Sequence, residues 1–138
     1  MQLGHNSKID LIRRVPLFSS ASKHELEEIA SIADEIDLPD GKVLIQEGDT
    51  GREFFVLIEG TADVERGGKK VAAIGPGDFF GEIALIAKTP RNATITTTSP
   101  ARALVITDRA FRQLLDHSPQ ISIGVLTALA ERLAPTTL

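Results

Sequence analysis

One carboxylate and one guanidinium stand close together in the stretch FFGEIALIAKTPRNATI, residues 79–95. Glu82 comes directly after Gly81 and a turn-rich run; Arg91 follows Pro90 and precedes a β-prone run of threonines. The apolar residues 83–87 between them suit one or two buried helical turns. Gly81 permits close backbone approach, and a short helix starting at Glu82 offers free N–H groups to an anion. Arg91 adds a charge-assisted, bidentate contact of the kind a phosphate accepts. Glu82 would repel that phosphate, and as an acceptor it suits sugar hydroxyls. An acid for a sugar with a base and backbone for a phosphate describes a nucleotide. A buried Glu82–Arg91 salt bridge holding a loop explains the same residues, although such pairs are often no better than neutral for stability.

Other phosphate motifs do not fit. GPGDFFG departs from GxGxxG because Phe80 stands where the third glycine belongs, and GxxxxGK[ST] is absent. Catalysis has little to work with. A barrel oxygenase needs two or three histidines and a carboxylate converging on a metal. The three histidines are His5 in the expected tail, His24 on a helix surface and His117 at a helix end. With no cysteine and no GxSxG, nucleophilic chemistry has no obvious agent. The expectation is a protein that is not an enzyme, with no cofactor and no metal.

Length and composition agree with one folded domain. The chain has 138 residues, 42% apolar and 25% charged, which is enough for a core without staples. Absence of cysteine excludes a disulfide framework and thiolate metal sites. No apolar run reaches membrane-spanning length and the N-terminus lacks a signal-peptide core, so a cytoplasmic protein without membrane contact is expected. A net charge of −4 argues against a nucleic-acid partner. With six Phe and no Trp or Tyr, base stacking would fall to Phe, His or Arg.

The elements that must position the stretch can be read in order. Residues 1–7 suggest a flexible polar tail, and residues 8–34 hold the N-terminal helices. Ile9, Leu11 and Ile12 form a short turn ending before Pro16. Ser22 and Glu25 make a capping box for a helix whose buried face is Leu26, Ile29, Ala30 and Ala33. From residue 35 to 107 the period is two. Ile36/Leu38 and Val43/Ile45 alternate with polar neighbours around the turn Pro39-Asp40-Gly41. Residues 54–58 are apolar on both faces, as in a strand covered on each side. Ala62 and Val64 oppose Asp63 and Glu65, and Gly67-Gly68 makes a tight hairpin to residues 71–74. Residues 93–97 and 103–106 are further strands, so the pattern points to a sandwich or barrel.

Residues 108–133 return to helix. Asp108 caps a helix bearing Phe111, Leu114 and Leu115, and Ser118-Pro119 starts the last one. That helix carries two apolar stripes, Ile121/Val125/Ala128/Leu129 and Ile123/Leu126/Ala130/Leu133. Two apolar faces call for burial twice. A homodimer partner, an effector protein or a downstream domain would supply the second cover.

FGEIAL, a short spacer and PRNATI resemble the phosphate-binding cassette of the cyclic nucleotide-binding domain family. VPLFSSASKHEL is similar to that family's entry helices, and GKVLIQEGDTGREFFVLIEGTADV to its first strands and glycine-marked turns. The resemblance implies a mainly β fold, an eight-stranded antiparallel β-roll with helices before and after it. It implies that Glu82 accepts the ribose 2′-hydroxyl. Arg91 would pair with the cyclic phosphate, with backbone N–H groups of Ile83, Ala84, Asn92 and Ala93 assisting. Gly81 would allow the approach, and Ile74 would line the base. Family members favouring cyclic AMP often carry Ala after the arginine, and many favouring cyclic GMP carry Thr. Asn92 stands there instead. Cyclic AMP is the expected ligand ahead of cyclic GMP, sensed by a regulatory module that transmits binding through its C-terminal helix. A domain of the same fold that binds nothing is the alternative, as is the sensor fragment of a transcription regulator or channel. The base cap some members place on the last helix would here be aliphatic: Leu126, Leu129 and Leu133.

Overall fold

A computed structural model describes residues 5–15, 18–81 and 89–133 of the chain. It divides into two compact units: a β unit, Ala33–Asp108, and a helical unit drawn from the residues before and after it.

Among the described residues eight strands build the β unit: β1 (Asp34–Leu38), β2 (Val43–Ile45), β3 (Glu53–Glu59), β4 (Ala62–Arg66), β5 (Lys69–Ile74), β6 (Phe79–Phe80), β7 (Thr94–Thr97) and β8 (Ala101–Thr107). They form two four-stranded sheets, ordered β1-β8-β3-β6 and β2-β7-β4-β5, and every pairing is antiparallel. Inward-facing side chains of both sheets make one core around Leu38, Ile45, Phe55, Leu57, Phe80, Ile95 and Val105. Period two puts Phe55 and Leu57 in that core and Phe54 and Val56 on the opposite face of β3. All four are buried, so β3 is covered on each side as its run of apolar residues requires.

Strand β6 is two residues long, too short to show as a period in sequence. It is held by its aromatics. Phe80 lies opposite Phe55, and their rings stack with centroids 5.2 Å apart; Phe79 and Phe54 meet at 6.1 Å. Burying a phenylalanine contributes roughly 1.5–3 kcal/mol, and a well-placed pair adds about 0.5–1.5 kcal/mol. The next residue is Gly81, so these rings fix where the site begins.

Strand β2 departs from simple alternation. Val43 and Ile45 read as one face, yet Val43 is exposed while Ile45 is buried. Their partners on β7 are Thr96 and Ile95, a register shift that gives β2 an extra residue. A bulge of this kind turns one side chain off the core face. The β4–β5 hairpin also starts earlier than its apolar residues suggest, since Lys69 and Lys70 are already in β5. On β1 and β8, Arg102 Nε donates to Asp37 Oδ1 at 2.9 Å. That hydrogen bond, and then the charge behind it, holds the Asp37 carboxyl below its usual range.

The helical unit holds α1 (His5–Arg14), α2 (Lys23–Ile32), α3 (Asp108–His117) and α4 (Pro119–Leu133). Helix α1 begins at His5, inside the segment expected as a tail. Ile9 and Ile12 of α1, Leu26 and Ile29 of α2, Phe111 and Leu114 of α3, and Ile121 and Val125 of α4 are buried. The capping box forms: Ser22 N donates to Glu25 Oε1 at 2.8 Å, and Glu25 N to Ser22 Oγ at 3.2 Å. Glu25 does more than the motif predicts. Its Oε2 accepts from the hydroxyl of buried Ser118, whose Oγ in turn accepts from Ile121 N and caps α4. One carboxylate thus serves the starts of two helices. Along α4, Ile121 and Val125 are buried, while Ile123 and Leu126 are 62% and 65% exposed. Ile123 and Leu126, three residues apart, share a helix face.

Candidate functional site

Arg91 is the polar centre of the β unit. Its side chain is only 7% exposed. The main chain on either side of it is held by the Gly48-Asp49 turn. Arg91 N donates to Asp49 O at 2.8 Å and Gly48 N donates to Arg91 O at 2.8 Å. An isolated bridge between Thr50 and Pro90 extends this pairing by one step. After Arg91 the chain enters β7, where Thr94 and Ile95 lie opposite Glu65 and Val64 of β4.

The guanidinium is oriented by two backbone carbonyls. Nη1 donates to Gly81 O at 2.8 Å and Nη2 to Glu53 O at 2.6 Å. Both acceptors are backbone carbonyls, and together they aim the fork. Holding a cation in a buried place costs free energy unless charge and hydrogen bonds compensate it. An arginine prepared in this way suits a planar or tetrahedral oxyanion approaching its fork.

Gly81 is required by this packing. Its φ is +95°. A Cβ there would lie 2.8 Å from Glu53 O and 2.9 Å from Arg91 Nη1, with Ile45 Cδ1 at 3.5 Å. Besides the ligand approach expected of it, this glycine makes room for two groups of the protein itself, the Glu53 carbonyl and the Arg91 guanidinium.

The other expected site residues are placed as follows. Asn92 is exposed, and its carbonyl accepts from Arg66 Nε at 2.9 Å. Ala93 is buried just ahead of β7. Ile74 ends β5, lies opposite Ala62 and packs against the core cluster that contains Ile45 and Phe80. Gly81 and Arg91 are therefore in direct contact, and Asn92 and Ala93 continue the same limb. Glu82, Ile83 and Ala84 lie outside the described residues. The residue types mark a turn at Gly48-Asp49 but not its place beside Arg91, and they do not mark the Glu53 carbonyl or Arg66. Backbone acceptors leave no signature in residue types, and only the paired glycines after Arg66 hinted that a loop tip falls there.

The histidines stand apart from this centre. His24 pairs with Glu28 on α2 at 2.8 Å, and His117 Nδ1 lies 2.7 Å from Gln113 O on α3. Among the described residues no group of three or more His, Asp or Glu could hold a metal ion, and no helix is long and apolar enough to cross a membrane.

Comparison with known proteins gives a consistent picture. The chain is 33% identical over 109 residues to the cAMP-dependent protein kinase regulatory subunit of Schizosaccharomyces pombe, covering 78% of this chain and 26% of the relative. It is 36% identical over 132 residues to that of Mycosarcoma maydis, covering 89% and 24%. The chain thus spans about a quarter of the length of these relatives. Among solved structures, the N-terminal domain of a transcriptional regulator from Streptomyces coelicolor A3(2) superposes with a TM-score of 0.78 at 29% identity, covering 93% of this chain and 95% of that one. PfPKA-R with cAMP bound gives 0.81 at 27% identity, covering 95% and 45%. Residues 35–118, from the second residue of β1 to the cap of α4, match the profile of the cyclic nucleotide-binding domain. The two-sheet roll, the cassette sequence and this match agree, and the chain belongs to the cyclic nucleotide-binding domain family.

Proposed function

We propose that this domain senses a cyclic nucleotide, cyclic AMP in preference to cyclic GMP, and passes the binding event to a larger assembly. The observation that carries the reading is the buried Arg91 guanidinium, held by Gly81 O and Glu53 O. In this role Arg91 pairs with the cyclic phosphate, and the backbone N–H groups of Ile83, Ala84, Asn92 and Ala93 add donors. Glu82 accepts the ribose 2′-hydroxyl, and Ile74 contributes apolar surface to the base. In this proposal the site holds and reports. Support for cyclic AMP comes from the kinase regulatory subunits the chain resembles and from PfPKA-R, whose structure holds cAMP. Thermal denaturation tests the reading. Cyclic AMP at about 100 times its dissociation constant stabilises the domain by about 2.7 kcal/mol. For a chain of this length that raises the melting temperature by on the order of 10 °C. An unchanged melting temperature with either nucleotide at millimolar concentration rejects it.

The output runs through α4 in this proposal. Exposed Ile123 and Leu126 sit on the same helix as buried Ile121 and Val125. That face is available to a second copy or to an effector. Ligand coupling to it requires unequal affinity for two states of the domain. Sedimentation velocity across a concentration series reads self-association directly. A mass that rises with concentration, and stays monomeric in Leu126→Glu, is expected. A monomer at all concentrations removes the second copy and leaves the effector.

A further inference from the structure

The hairpin joining β4 and β5 is clasped to the limb that carries Arg91, and a charged side chain makes the clasp. Arg66, the last residue of β4, donates from Nε to Asn92 O at 2.9 Å. Gly67 N, at the hairpin tip, donates to Glu47 Oε1 at 3.0 Å. Glu47 N donates to Thr94 Oγ1 at 3.0 Å, and the following residue, Gly48, donates its N–H to Arg91 O. Three segments distant in sequence therefore meet at residues 91–94: the loop after β2, the tip of the β4–β5 hairpin and the entry to β7.

The consequence lies in the peptide planes. The peptides are trans, so each C=O points opposite to the N–H of the next residue. Gly48 fixes the Arg91 carbonyl, which turns the Asn92 N–H away from Gly48. Arg66 fixes the Asn92 carbonyl, which turns the Ala93 N–H away from Arg66. Two successive N–H groups are thereby given set directions by two donors gripping the carbonyls behind them. The Arg66 bond is exposed, so water replaces it at little cost to folding. Its value is in orientation.

We infer that Arg66 is a positioning residue for anion binding: it sets the Asn92–Ala93 peptide so that the Ala93 N–H meets the phosphate of the bound nucleotide. This rests on the cyclic-nucleotide reading of the site. Arg66 does not touch the ligand in this account, and it acts through a carbonyl rather than through its charge.

Three measurements on three variants test it. Arg66→Met keeps the side chain as far as the Nε position and removes the donor. Arg66→Gln and Arg66→Lys each retain a donor, the first without charge. Calorimetric titration with cyclic AMP is expected to show a threefold to tenfold loss for Arg66→Met, as one net hydrogen bond of about 0.5–1.5 kcal/mol allows. Recovery is expected in both Arg66→Gln and Arg66→Lys, with melting temperatures of all unliganded forms unchanged. Amide exchange in the unliganded protein is expected to quicken at Asn92 and Ala93 in Arg66→Met alone. Affinity that follows charge, kept by Lys and lost by Gln, overturns the inference in favour of long-range attraction. Unaltered affinity and exchange in Arg66→Met overturn it outright. Wild-type protein that binds neither cyclic nucleotide overturns the reading of the site and the ligand role of Arg66 together. In that case the exchange rates still decide whether the clasp orders the limb.

Discussion

Arg91→Ala lowers the affinity for cyclic AMP by roughly a hundredfold or more, the range expected when one partner of a buried charged pair is truncated. Glu82→Ala is expected to lose less, because it removes an acceptor for a sugar hydroxyl rather than the counter-charge of a phosphate. The size of the Arg91 effect follows from how the side chain is held. Two carbonyls aim its fork before any ligand arrives, so little ordering remains to be done on binding. The same contacts give the substitution a structural cost. Gly81 O and Glu53 O lose this donor, and a part-buried carbonyl left without a partner costs at most about 1–3 kcal/mol. Calorimetry on the variants must therefore be run below their melting temperatures. Arg91→Lys separates the two effects: it keeps the charge but cannot reproduce the two-armed contact. Affinity losses in Arg91→Ala that equal those in Glu82→Ala would show that the roles are assigned wrongly.

Gly81→Ala is expected to damage stability and binding together. The backbone at φ +95° strains any L side chain by about 1–3 kcal/mol. The new methyl also falls 2.8 Å from Glu53 O and 2.9 Å from Arg91 Nη1, so either the carbonyl or the guanidinium must move. Gly41→Ala provides the comparison. Its φ is +79°, and nothing lies within 4 Å of a Cβ placed there. Gly41→Ala thus carries backbone strain without the collision. Gly81→Ala should melt lower than Gly41→Ala and should lose at least tenfold in cyclic AMP affinity, while Gly41→Ala binds normally. Equal melting temperatures and equal affinities in the two variants would mean that the contact with the guanidinium is not what makes Gly81 necessary.

Much of this architecture was legible in residue types. Ser22 and Glu25 announced the start of α2, and Ser118-Pro119 the start of α4, because capping chemistry is local. The doubly apolar run inside β3 announced a strand buried on both faces. The cassette residues mark Arg91 and Gly81, which the fold brings into contact. What stayed hidden depended on contacts between distant segments. Val43 looked inward until a bulge against β7 turned it out. Phe79–Phe80 is a strand because the rings of Phe54 and Phe55 receive it, not because two residues have a period. The acceptors that hold Arg91 are carbonyls, which every residue owns. The second task of Glu25, at Ser118, lies 93 positions away along the chain. Arg66 stands beside the paired glycines with no residue pattern to single it out, yet its Nε reaches Asn92 O.

The central claim is that the limb around Arg91 is where a cyclic nucleotide is held. Titrating isotopically labelled protein with cyclic AMP, and following backbone amide resonances, tests it most directly. Saturable shifts are expected to concentrate at Gly81, Arg91, Asn92 and Ala93, to be complete at lower concentrations of cyclic AMP than of cyclic GMP, and to be absent from Arg91→Ala. Shifts that leave these four amides unmoved at millimolar nucleotide, or that persist unchanged in Arg91→Ala, would contradict it.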